Sequence, residues 1–341
     1  MGALSLMGSD AIYPLTFEPA FRQYIWGGRN LERLGRALPP GKVAESWEIS
    51  GHRAAATAVA AGSLAGRLLT DLVCELGPAL LGSRNSPALE RGRFPLLVKL
   101  LDAQDRLSIQ VHPPDAYARL HEAGEPGKSE MWYILEAASD ARIIYGLRQG
   151  VTPKRFRQAL EAGDLERWLH YLPARPRDAI LIEAGALHAL LGGVLAVEIQ
   201  QDSDVTYRVY DWGRLDADGK PRPLHVEKAL DVIDFDRVEP GPYAPRPVES
   251  RPGLRREIIS ACQAFTVERL RLDGNARFDG RCDGSTFEIW GCVEGSARIL
   301  WEGEPLPLPA VRFALLPAAL GEFAVQTAGE PATLLRAWAG G

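Results

Sequence analysis

Short apolar segments of four to eight residues, separated by glycine or proline, recur between residues 94 and 210. Runs of this length that are rich in Val, Ile and aromatic residues favour β-strands, and the turn residues between them favour antiparallel neighbours. The sequence therefore predicts a mainly β fold, arranged as a barrel or a sandwich. The predicted strands cover 94–101, 107–111, 131–135, 142–145, 179–182, 194–200 and 205–210.

Helical patterns are fewer and lie around these strands, at 64–73, 115–121, 152–162 and 226–233. Thr152 followed by Pro153 is typical of a helix start, because the threonine side chain caps the first turn and proline is tolerated there. Helices this few and this irregularly placed exclude a doubly wound α/β sheet. No glycine-rich dinucleotide loop or P-loop follows a predicted strand. The helices are therefore expected to be peripheral to the β structure.

A proline-rich segment divides the predicted elements into two groups. A chain of 341 residues is long for a single core, so two domains are expected. Beyond the proline-rich segment, six more strand-like runs follow, and this tail contains no histidine. We therefore predict a first domain over 11–236, a semi-rigid linker over 237–252 and a second β domain over 253–341.

Four side chains that bind metals lie in separate segments of the first domain. Gln110 and His112 end one predicted strand, Glu130 begins the next, and His188 follows a later turn. Residues two apart on a strand point the same way, so Ser108 shares a face with the first pair. Two imidazoles, one carboxylate and one amide oxygen suit a catalytic zinc ion, whereas structural zinc takes a closed set of sulfur and nitrogen ligands. Three strands are expected to converge on one ion.

The composition limits the partners and the compartment. The net charge is −5 and no run of basic residues exceeds two, so nothing indicates a nucleic-acid surface. Four cysteines without a C-x-x-C pair fit a reducing compartment. No apolar run reaches the roughly 20 residues that span a bilayer, so no membrane association is expected. The first ten residues lack a secretory signal and are interpreted as an extension. We predict a cytoplasmic protein, either a monomer or a homodimer.

Several sequence motifs occur together in one order. They are QYIWGG (23–28), ESWEIS (45–50), FPLLVKLLDA (94–103), QVHP (110–113), GKSEMWYI (127–134), GALHAL (185–190) and YRVYDWGR (207–214). In this order and spacing they resemble the type I phosphomannose isomerases, zinc-dependent enzymes of the cupin superfamily, in their shorter bacterial form. The resemblance covers at least 17–235 and is loose over the tail. It implies cupin-type jelly-roll barrels with peripheral helices.

The resemblance also implies an activity and a set of site residues. The expected reaction interconverts mannose 6-phosphate and fructose 6-phosphate, a small phosphorylated sugar pair, through an enediol. One Zn²⁺ per subunit is implied, with Gln110, His112, Glu130 and His188 as ligands and one open position. Catalytic roles are implied for Arg208, Glu198 and Lys128, and substrate contacts for Lys99, Ser108 and Arg214. The residues alone leave the general base unassigned, and they also allow a solvent-facing Arg208 and a surface Arg214.

Two other functions are compatible with a cupin barrel. A metal-dependent oxygenase favours imidazole-rich or two-histidine-one-carboxylate sets around iron, whereas the amide ligand and the nearby cations favour a phosphorylated sugar. A non-catalytic sugar-binding module with a decayed site is the second alternative, but all four ligands and Arg208 are present. The tail is interpreted as a degenerate, metal-free copy of the catalytic barrel, because it has no imidazole.

Overall fold

The computed structural model describes residues 12–216, 218–327 and 329–340. Within these ranges the chain is mainly β, which confirms the predicted fold class, and its strands form five sheets. The first ten residues, which are predicted to be an extension, lie outside the described ranges. Residue 11, which begins the predicted first domain, also lies outside them.

The regular elements are numbered here in chain order. The strands are β1 (Phe17–Glu18), β2 (Ala20–Arg22), β3 (Glu45–Ser50), β4 (Ala58–Val59), β5 (Leu96–Ala103), β6 (Ile109–Val111), β7 (Glu130–Ala137), β8 (Arg142–Leu147), β9 (Leu169–Pro173), β10 (Ala179–Ile182), β11 (His188–Leu190), β12 (Val194–Gln201), β13 (Tyr207–Tyr210), β14 (Arg246–Arg251), β15 (Leu254–Ala261), β16 (Phe265–Leu272), β17 (Arg277–Cys282), β18 (Glu288–Glu294), β19 (Ser296–Leu300), β20 (Leu306–Pro309), β21 (Arg312–Leu316), β22 (Gly321–Thr327) and β23 (Ala332–Ala339). The α-helices are α1 (Leu69–Leu76), α2 (Pro78–Leu81), α3 (Ser86–Glu90), α4 (Asp115–His121), α5 (Pro153–Glu161) and α6 (Val226–Val232), and 3-10 helices cover Asn30–Leu34, Ser83–Asn85 and Leu165–Trp168.

Two antiparallel sheets form what we call the first sandwich. Its large sheet has the strand order β10-β7-β12-β5-β3-β2, and its small sheet has the order β13-β6-β11-β8-β9. One core cluster takes Trp132 and Ile180 from the large sheet together with Ile143 and Leu190 from the small one. Because both sheets contribute to the same core, they pack face to face.

Helices cover the outer side of the small sheet. A second cluster joins Ile109 of β6 and Val209 of β13 to Phe156 of α5 and Ala229 of α6. Thr152 caps α5 by accepting a hydrogen bond from a backbone amide of the first turn, as the sequence predicts. Among the described residues, no helix is both long and apolar enough to cross a bilayer.

Two further sheets form what we call the second sandwich, built from the C-terminal strands. Its large sheet has the order β14-β15-β16-β23-β18-β21, and its small sheet has the order β17-β22-β19-β20. Leu270 and Leu334 of the large sheet pack in one core with Phe278 and Val325 of the small sheet. This core is apolar over most of its extent, so the C-terminal strands have a hydrophobic interior of their own.

The described chain divides into two compact units, whose bounds differ from the predicted domains. One unit contains Phe21–Ser46 and Lys99–Tyr243, and it includes every predicted site residue. The other contains Trp47–Val98 together with the described residues before Phe21 and after Tyr243. In that unit the rings of Phe94 and Phe287 lie 4.7 Å apart, a contact across most of the chain that no local pattern reveals.

The segment predicted as a linker is partly a strand. Residues 246–251 form β14, which pairs with β15 at the edge of a sheet. Pro247 lies in this edge strand, where a residue without an amide hydrogen is tolerated because one side of the strand needs no ladder bond. The proline content that indicates a linker in sequence is therefore equally compatible with an edge strand.

Candidate metal centre and active-site cavity

Three neighbouring strands of the small sheet present a row of site residues. Gln110 on β6 lies opposite His188 on β11 and opposite Arg208 on β13. Directly opposed residues in an antiparallel pair project from the same face. Ile109 and Val111, which flank Gln110, belong to the outer cluster under the helices. Alternation along the strand therefore turns the row inward, toward the large sheet.

A glycine turn holds the segment that leads into His188. Gly185 has φ of +90°, a conformation that residues with a side chain rarely adopt. Its amide donates to the carbonyl of His112 at 2.9 Å, and a Cβ at this position would lie 3.0 Å from the carbonyl oxygen of Val232. The turn therefore fixes the backbone of one predicted ligand relative to the other.

His112, Glu130 and His188 are buried together inside the first sandwich. One ligand atom from each lies within 4.8 Å of the others. His112 Nε2 is 3.4 Å from Glu130 Oε2, and His188 Nε2 is 3.3 Å from Glu130 Oε1. The carboxylate therefore lies between the two imidazoles, with one oxygen toward each ring.

The orientation of the imidazoles leaves lone pairs facing this carboxylate. His112 Nδ1 is 2.8 Å from the carbonyl oxygen of Val205, and His188 Nδ1 is 2.8 Å from that of Ala186. Carbonyl oxygens only accept, so each Nδ1 carries the hydrogen and each Nε2 presents a lone pair. Both oxygens of Glu130 are buried; Oε2 forms an ion pair with Lys128 Nζ at 2.9 Å, and Oε1 accepts no hydrogen bond within the described chain. Electron-pair donors that converge without a proton between them fit a bound cation.

The protonation states are those that a metal site requires. Burial, assisted by the charge of Lys128, lowers the pKa of His112 to about 3. Burial by itself would raise the pKa of Glu130, but Lys128 and the two imidazoles hold it well below its usual range. At neutral pH the group therefore contains a carboxylate and a neutral His112, as metal binding demands.

The lowered pKa of His112 predicts acid sensitivity of the metal-free protein. The unfolded chain takes up this proton near pH 6.5, whereas the folded chain does so only near pH 3, so the unfolded state gains stability as the pH falls. With chelator present, the free energy of unfolding is expected to drop by about 1.4 kcal/mol per pH unit between pH 6 and 5 from this residue. Urea unfolding at several pH values measures this slope. A His112→Asn variant with the same slope as the parent would contradict the assignment.

Gln110 reaches the same group through its terminal amide. Its Nε2 lies 3.3 Å from His188 Nε2, while its Oε1 accepts a hydrogen bond from Ser108 Oγ at 3.2 Å. The two ends of the amide are nearly equal in shape, so a half-turn of the amide presents the oxygen to the metal position and the nitrogen to Ser108. Ser108 therefore contacts a predicted metal ligand, in addition to its predicted role as a substrate contact.

A second network of buried charges adjoins the metal group. Lys99 Nζ lies 3.4 Å from Glu45 and 3.3 Å from Glu198, and Trp132 Nε1 donates to the other oxygen of Glu198 at 2.8 Å. Burial acts to lower the pKa of Lys99, but the two carboxylates raise it above its ordinary value. Burial, together with the charge of Glu130, raises the pKa of Glu198. Lys99 is therefore a cation whose charge is already compensated.

One cavity of about 230 Å³ joins these groups. Six of the predicted residues line it, namely Lys99, Ser108, Gln110, Lys128, Glu198 and Arg208. Lys128 Nζ connects the cavity to the metal group, because it lies 2.9 Å from Glu130 Oε2 and 3.3 Å from His112 Nε2. The structure therefore brings together nine of the ten predicted residues, with the buried carboxylate and imidazoles behind the cavity wall.

Arg214, predicted as a substrate ligand, does not line this cavity. Its guanidinium donates to Asp211 Oδ1 at 2.7 Å and to the carbonyl of Arg106. The chain reverses at Trp212 and Gly213, which have φ of +62° and +68°. A non-glycine residue in the left-handed region is uncommon, so this reversal is not predictable from the motif. It directs Arg214 back against Asp211.

Nine residues that line the cavity were not predicted as site residues: the apolar or aromatic Trp26, Leu101 and Leu107, and the polar or ionisable Tyr24, Glu45, Asp204, Thr206, Arg222 and His225. Arg222 donates to both oxygens of Asp211, at 2.8 and 2.6 Å, and so lies where Arg214 was expected. His225 Nδ1 accepts a hydrogen bond from the backbone amide of Arg208 at 3.2 Å. The neutral ring therefore carries its hydrogen on Nε2, and burial, followed by the charge of Arg208, lowers its pKa. Arg222 and His225 reach the cavity only because the chain returns toward β13.

The fold and the site define a cupin-type protein with a buried group of side chains compatible with a metal ion, and comparisons with known proteins identify its family. The type I phosphomannose isomerase catalytic domain matches residues 15–134. Two Bacillus subtilis relatives are named probable mannose-6-phosphate isomerase GmuF and mannose-6-phosphate isomerase ManA. They are 38% and 36% identical to this chain, covering 92% and 93% of it and 96% and 97% of the relatives. The crystal structure of the Bacillus subtilis mannose 6-phosphate isomerase is similar with a TM-score of 0.85 and 35% identity, over 95% of this chain and 99% of that one. The chain belongs to the type I phosphomannose isomerase family, as the motifs predict.

Proposed function

We propose that this chain converts mannose 6-phosphate reversibly into fructose 6-phosphate, with a zinc ion held by Gln110, His112, Glu130 and His188. The observation that carries the proposal is the buried group of converging lone pairs beside a cavity with several cationic side chains. Relatives that bear the isomerase name match nearly the whole chain, which supports an isomerase over an oxygenase or a sugar-binding module.

The proposed reaction moves one proton between two neighbouring carbons. The proton leaves carbon 2 of the open-chain aldose, and its bonding electrons form the double bond of an enediol. The aldehyde oxygen takes up a proton to complete the enediol. A proton then returns to carbon 1 while the hydroxyl on carbon 2 gives up its proton and becomes the carbonyl, so atoms and electrons balance. When bound, the metal supplies Lewis-acid polarisation of a substrate oxygen. The remaining needs are a proton acceptor, a proton donor and cations for the developing charge.

Glu198 and Lys128 have the properties required for the proton transfers. Glu198 is buried and lines the cavity, and its Oε1 accepts no hydrogen bond, although Lys99 lies 3.3 Å away. A carboxylate with a raised pKa is a suitable base near neutral pH, and we assign the carbon-bound proton to it. Burial acts to lower the pKa of Lys128, but Glu130 and Glu198 raise it, so its ammonium group remains charged and can donate to a substrate oxygen.

Arg208 has unused donor capacity that faces this reaction. One terminal nitrogen donates to the carbonyl of Pro223 at 2.9 Å, whereas Nε is buried and has no hydrogen-bond partner within the described chain. An unpaired buried donor is costly unless a ligand completes it. We assign Arg208 to the enediolate oxygen, and Arg222 and His225, which line the cavity with it, to the phosphate end.

A direct assay tests the proposed function. The purified protein, incubated with mannose 6-phosphate, is expected to form fructose 6-phosphate, to lose this activity after exhaustive chelation and to regain it with Zn²⁺. In deuterated water, transfer of the proton through an ionisable group is expected to leave deuterium on the product carbon. Parental activity in a folded Glu198→Gln variant would overturn the assigned base. Full activity in the chelated protein would overturn the metal assignment.

His225 offers a pair of substitutions that separates its two ring nitrogens. His225→Asn retains an acceptor at the Nδ1 position and loses the donor at the Nε2 position, whereas His225→Gln retains a donor there. Loss of one hydrogen bond to an ionic substrate is worth about 1.5 kcal/mol, so the KM of His225→Asn is expected to rise about tenfold, with kcat nearly unchanged. His121→Asn, at an exposed histidine, is the control. Equal KM values for the parent and His225→Asn would contradict the assignment.

A further inference from the structure

The second sandwich repeats the topology of the first. If the strands of each large sheet are numbered from one to six in chain order, both sheets have the spatial order 5-4-6-3-2-1. The small sheets share the order 1-4-2-3, with β13 as an additional edge strand in the first. Equivalent strands can therefore be assigned one by one: β7 corresponds to β18, β12 to β23, β5 to β16 and β3 to β15.

The strand registers extend this equivalence to single residues. Trp132 on the fourth strand lies opposite Glu198 on the sixth, and Trp290 on the fourth strand of the second sandwich lies opposite Arg336 on the sixth. Each tryptophan follows a glutamate by two residues, and the two glutamates are Glu130 and Glu288. Arg336 therefore occupies the position of Glu198, and Glu288 occupies the position of the predicted metal ligand.

The counterparts of Gln110 and His188 at the corresponding register cannot bind a metal, and His112 corresponds to Cys282, which belongs to no group of three metal-binding side chains among the described residues. Gln110 lies opposite His188 in the first sandwich, where Gly280 lies opposite Phe323 in the second. The T-shaped contact of His188 with Trp132, at 5.5 Å and 73°, matches the contact of Phe323 with Trp290, at 5.9 Å and 76°. The ring of Phe323 fills the space at this position, and a Cβ on Gly280 would lie only 2.4 Å from it.

The signs of the surrounding charges are inverted between the two sandwiches. In the first, one cation, Lys99, lies between the carboxylates of Glu45 and Glu198. In the second, one carboxylate, Glu268, lies between two guanidinium groups. Its contacts are Arg256 on the second strand at 3.0 Å and Arg336 on the sixth strand at 3.3 Å.

Arg336 also binds the carboxylate that corresponds to the metal ligand. Its Nε donates to Glu288 Oε2 at 2.8 Å and a terminal nitrogen donates to Oε1, so the pair is bidentate. Trp290 Nε1 donates to the same carboxylate at 2.8 Å. The guanidinium carbon lies 5.3 Å from the ring of Phe278, 5.8 Å from that of Trp290 and 5.1 Å from that of Trp338, within the range of cation–π attraction.

We infer that the Arg336 guanidinium is a built-in cation that replaces the metal ion in the second sandwich. It neutralises Glu288 and Glu268 inside an aromatic enclosure, and this allows both carboxylates to remain buried without a bound ion. A divalent metal ion would bring two positive charges to the four predicted ligand side chains of the first sandwich. Here one covalently attached charge is shared by two carboxylates, and Arg256 balances the remainder. The inference does not depend on the proposed isomerase activity.

Removal of the built-in cation should leave a site for a free one. An Arg336→Ala variant of the full chain is expected to unfold about 10 °C below the parent, because the buried Glu288 loses its bidentate partner and the buried Glu268 loses one of its two guanidinium partners. Guanidinium chloride at low millimolar concentration is the probe. It is expected to restore several degrees to this variant and to bind to it, whereas sodium chloride at equal ionic strength does not. Arg281→Ala, at an exposed ion pair, is the matched control and should gain nothing from guanidinium.

A charge-free variant keeps the inference testable if Arg336→Ala fails to fold. Arg336→Met combined with Glu268→Gln and Glu288→Gln removes the cation together with the carboxylates that require it. This triple variant is expected to unfold within a few degrees of the parent and far above Arg336→Met alone. If the triple variant is no more stable than Arg336→Met, or if sodium rescues Arg336→Ala as well as guanidinium does, Arg336 acts by packing and the inference is overturned.

Discussion

A Glu130→Gln variant is expected to lose its bound metal and to lose isomerase activity by about 1,000-fold. Glutamine has nearly the same shape, but it removes the negative charge that faces both imidazoles at 3.3 and 3.4 Å. The neutral set that remains binds a dication weakly, and the several kcal/mol of oxyanion stabilisation that depend on the ion are lost with it. Metal content by inductively coupled plasma mass spectrometry, measured together with kcat/KM, tests both effects on one sample.

The control for this prediction lies on the same strand. Glu136→Gln removes a carboxylate of β7 that is half exposed and bound to Arg33 at 2.6 Å, so metal content and activity should be unchanged. Glu130→Gln also leaves the buried Lys128 without its nearest carboxylate, and circular dichroism is needed to show that the variant is folded. A folded Glu130→Gln protein that retains one metal ion and parental activity would remove Glu130 from the metal group.

The sequence predicts those strands whose own residue pattern is sufficient to indicate a strand. Alternation at 107–111 places Ser108 and Gln110 on one face, and the structure has both side chains on the cavity wall. Strand β11, by contrast, has only three residues within a glycine-rich segment, and its existence depends on pairing with β6 and β8. His188 could be selected as a ligand by its motif, but its position beside Gln110 depends on that long-range pairing.

The site positions that the sequence does not predict are set by the course of the backbone or by contacts between residues far apart in the chain. Arg214 follows a turn in which Trp212 adopts a left-handed conformation, and this turn decides which arginine faces the cavity. His225 joins the cavity because its backbone amide donates to the carbonyl of Arg208 at 2.7 Å and its Nδ1 accepts from the amide of the same residue, 17 positions away in the chain. The nature of the donor set is compatible with a bound cation, whereas the proposal that this cation is zinc rests on ligand chemistry and on the family resemblance.

Arg208→Ala is expected to lower kcat by about 100- to 1,000-fold while KM changes by less than about threefold. Arg208 lies in the same inward row as Gln110 and His188, and its buried Nε has no hydrogen-bond partner within the described chain. A hydrogen-bond donor that contacts negative charge only as this charge develops stabilises the transition state more than the bound substrate. Its loss therefore lowers kcat. Steady-state kinetics with mannose 6-phosphate separates the two parameters.

Arg214→Ala is the matched comparison, since both arginines belong to one motif. The Arg214 guanidinium is already engaged by Asp211 and the carbonyl of Arg106, so its removal should leave kcat within about threefold of the parent. Its loss removes one hydrogen bond to Asp211, but both oxygens of that carboxylate still accept from Arg222, so only a small loss of stability is expected. If Arg214→Ala lowers kcat as much as Arg208→Ala does, the arginines act as one unit. If Arg208→Ala raises KM alone, Arg208 binds the substrate without stabilising the enediolate.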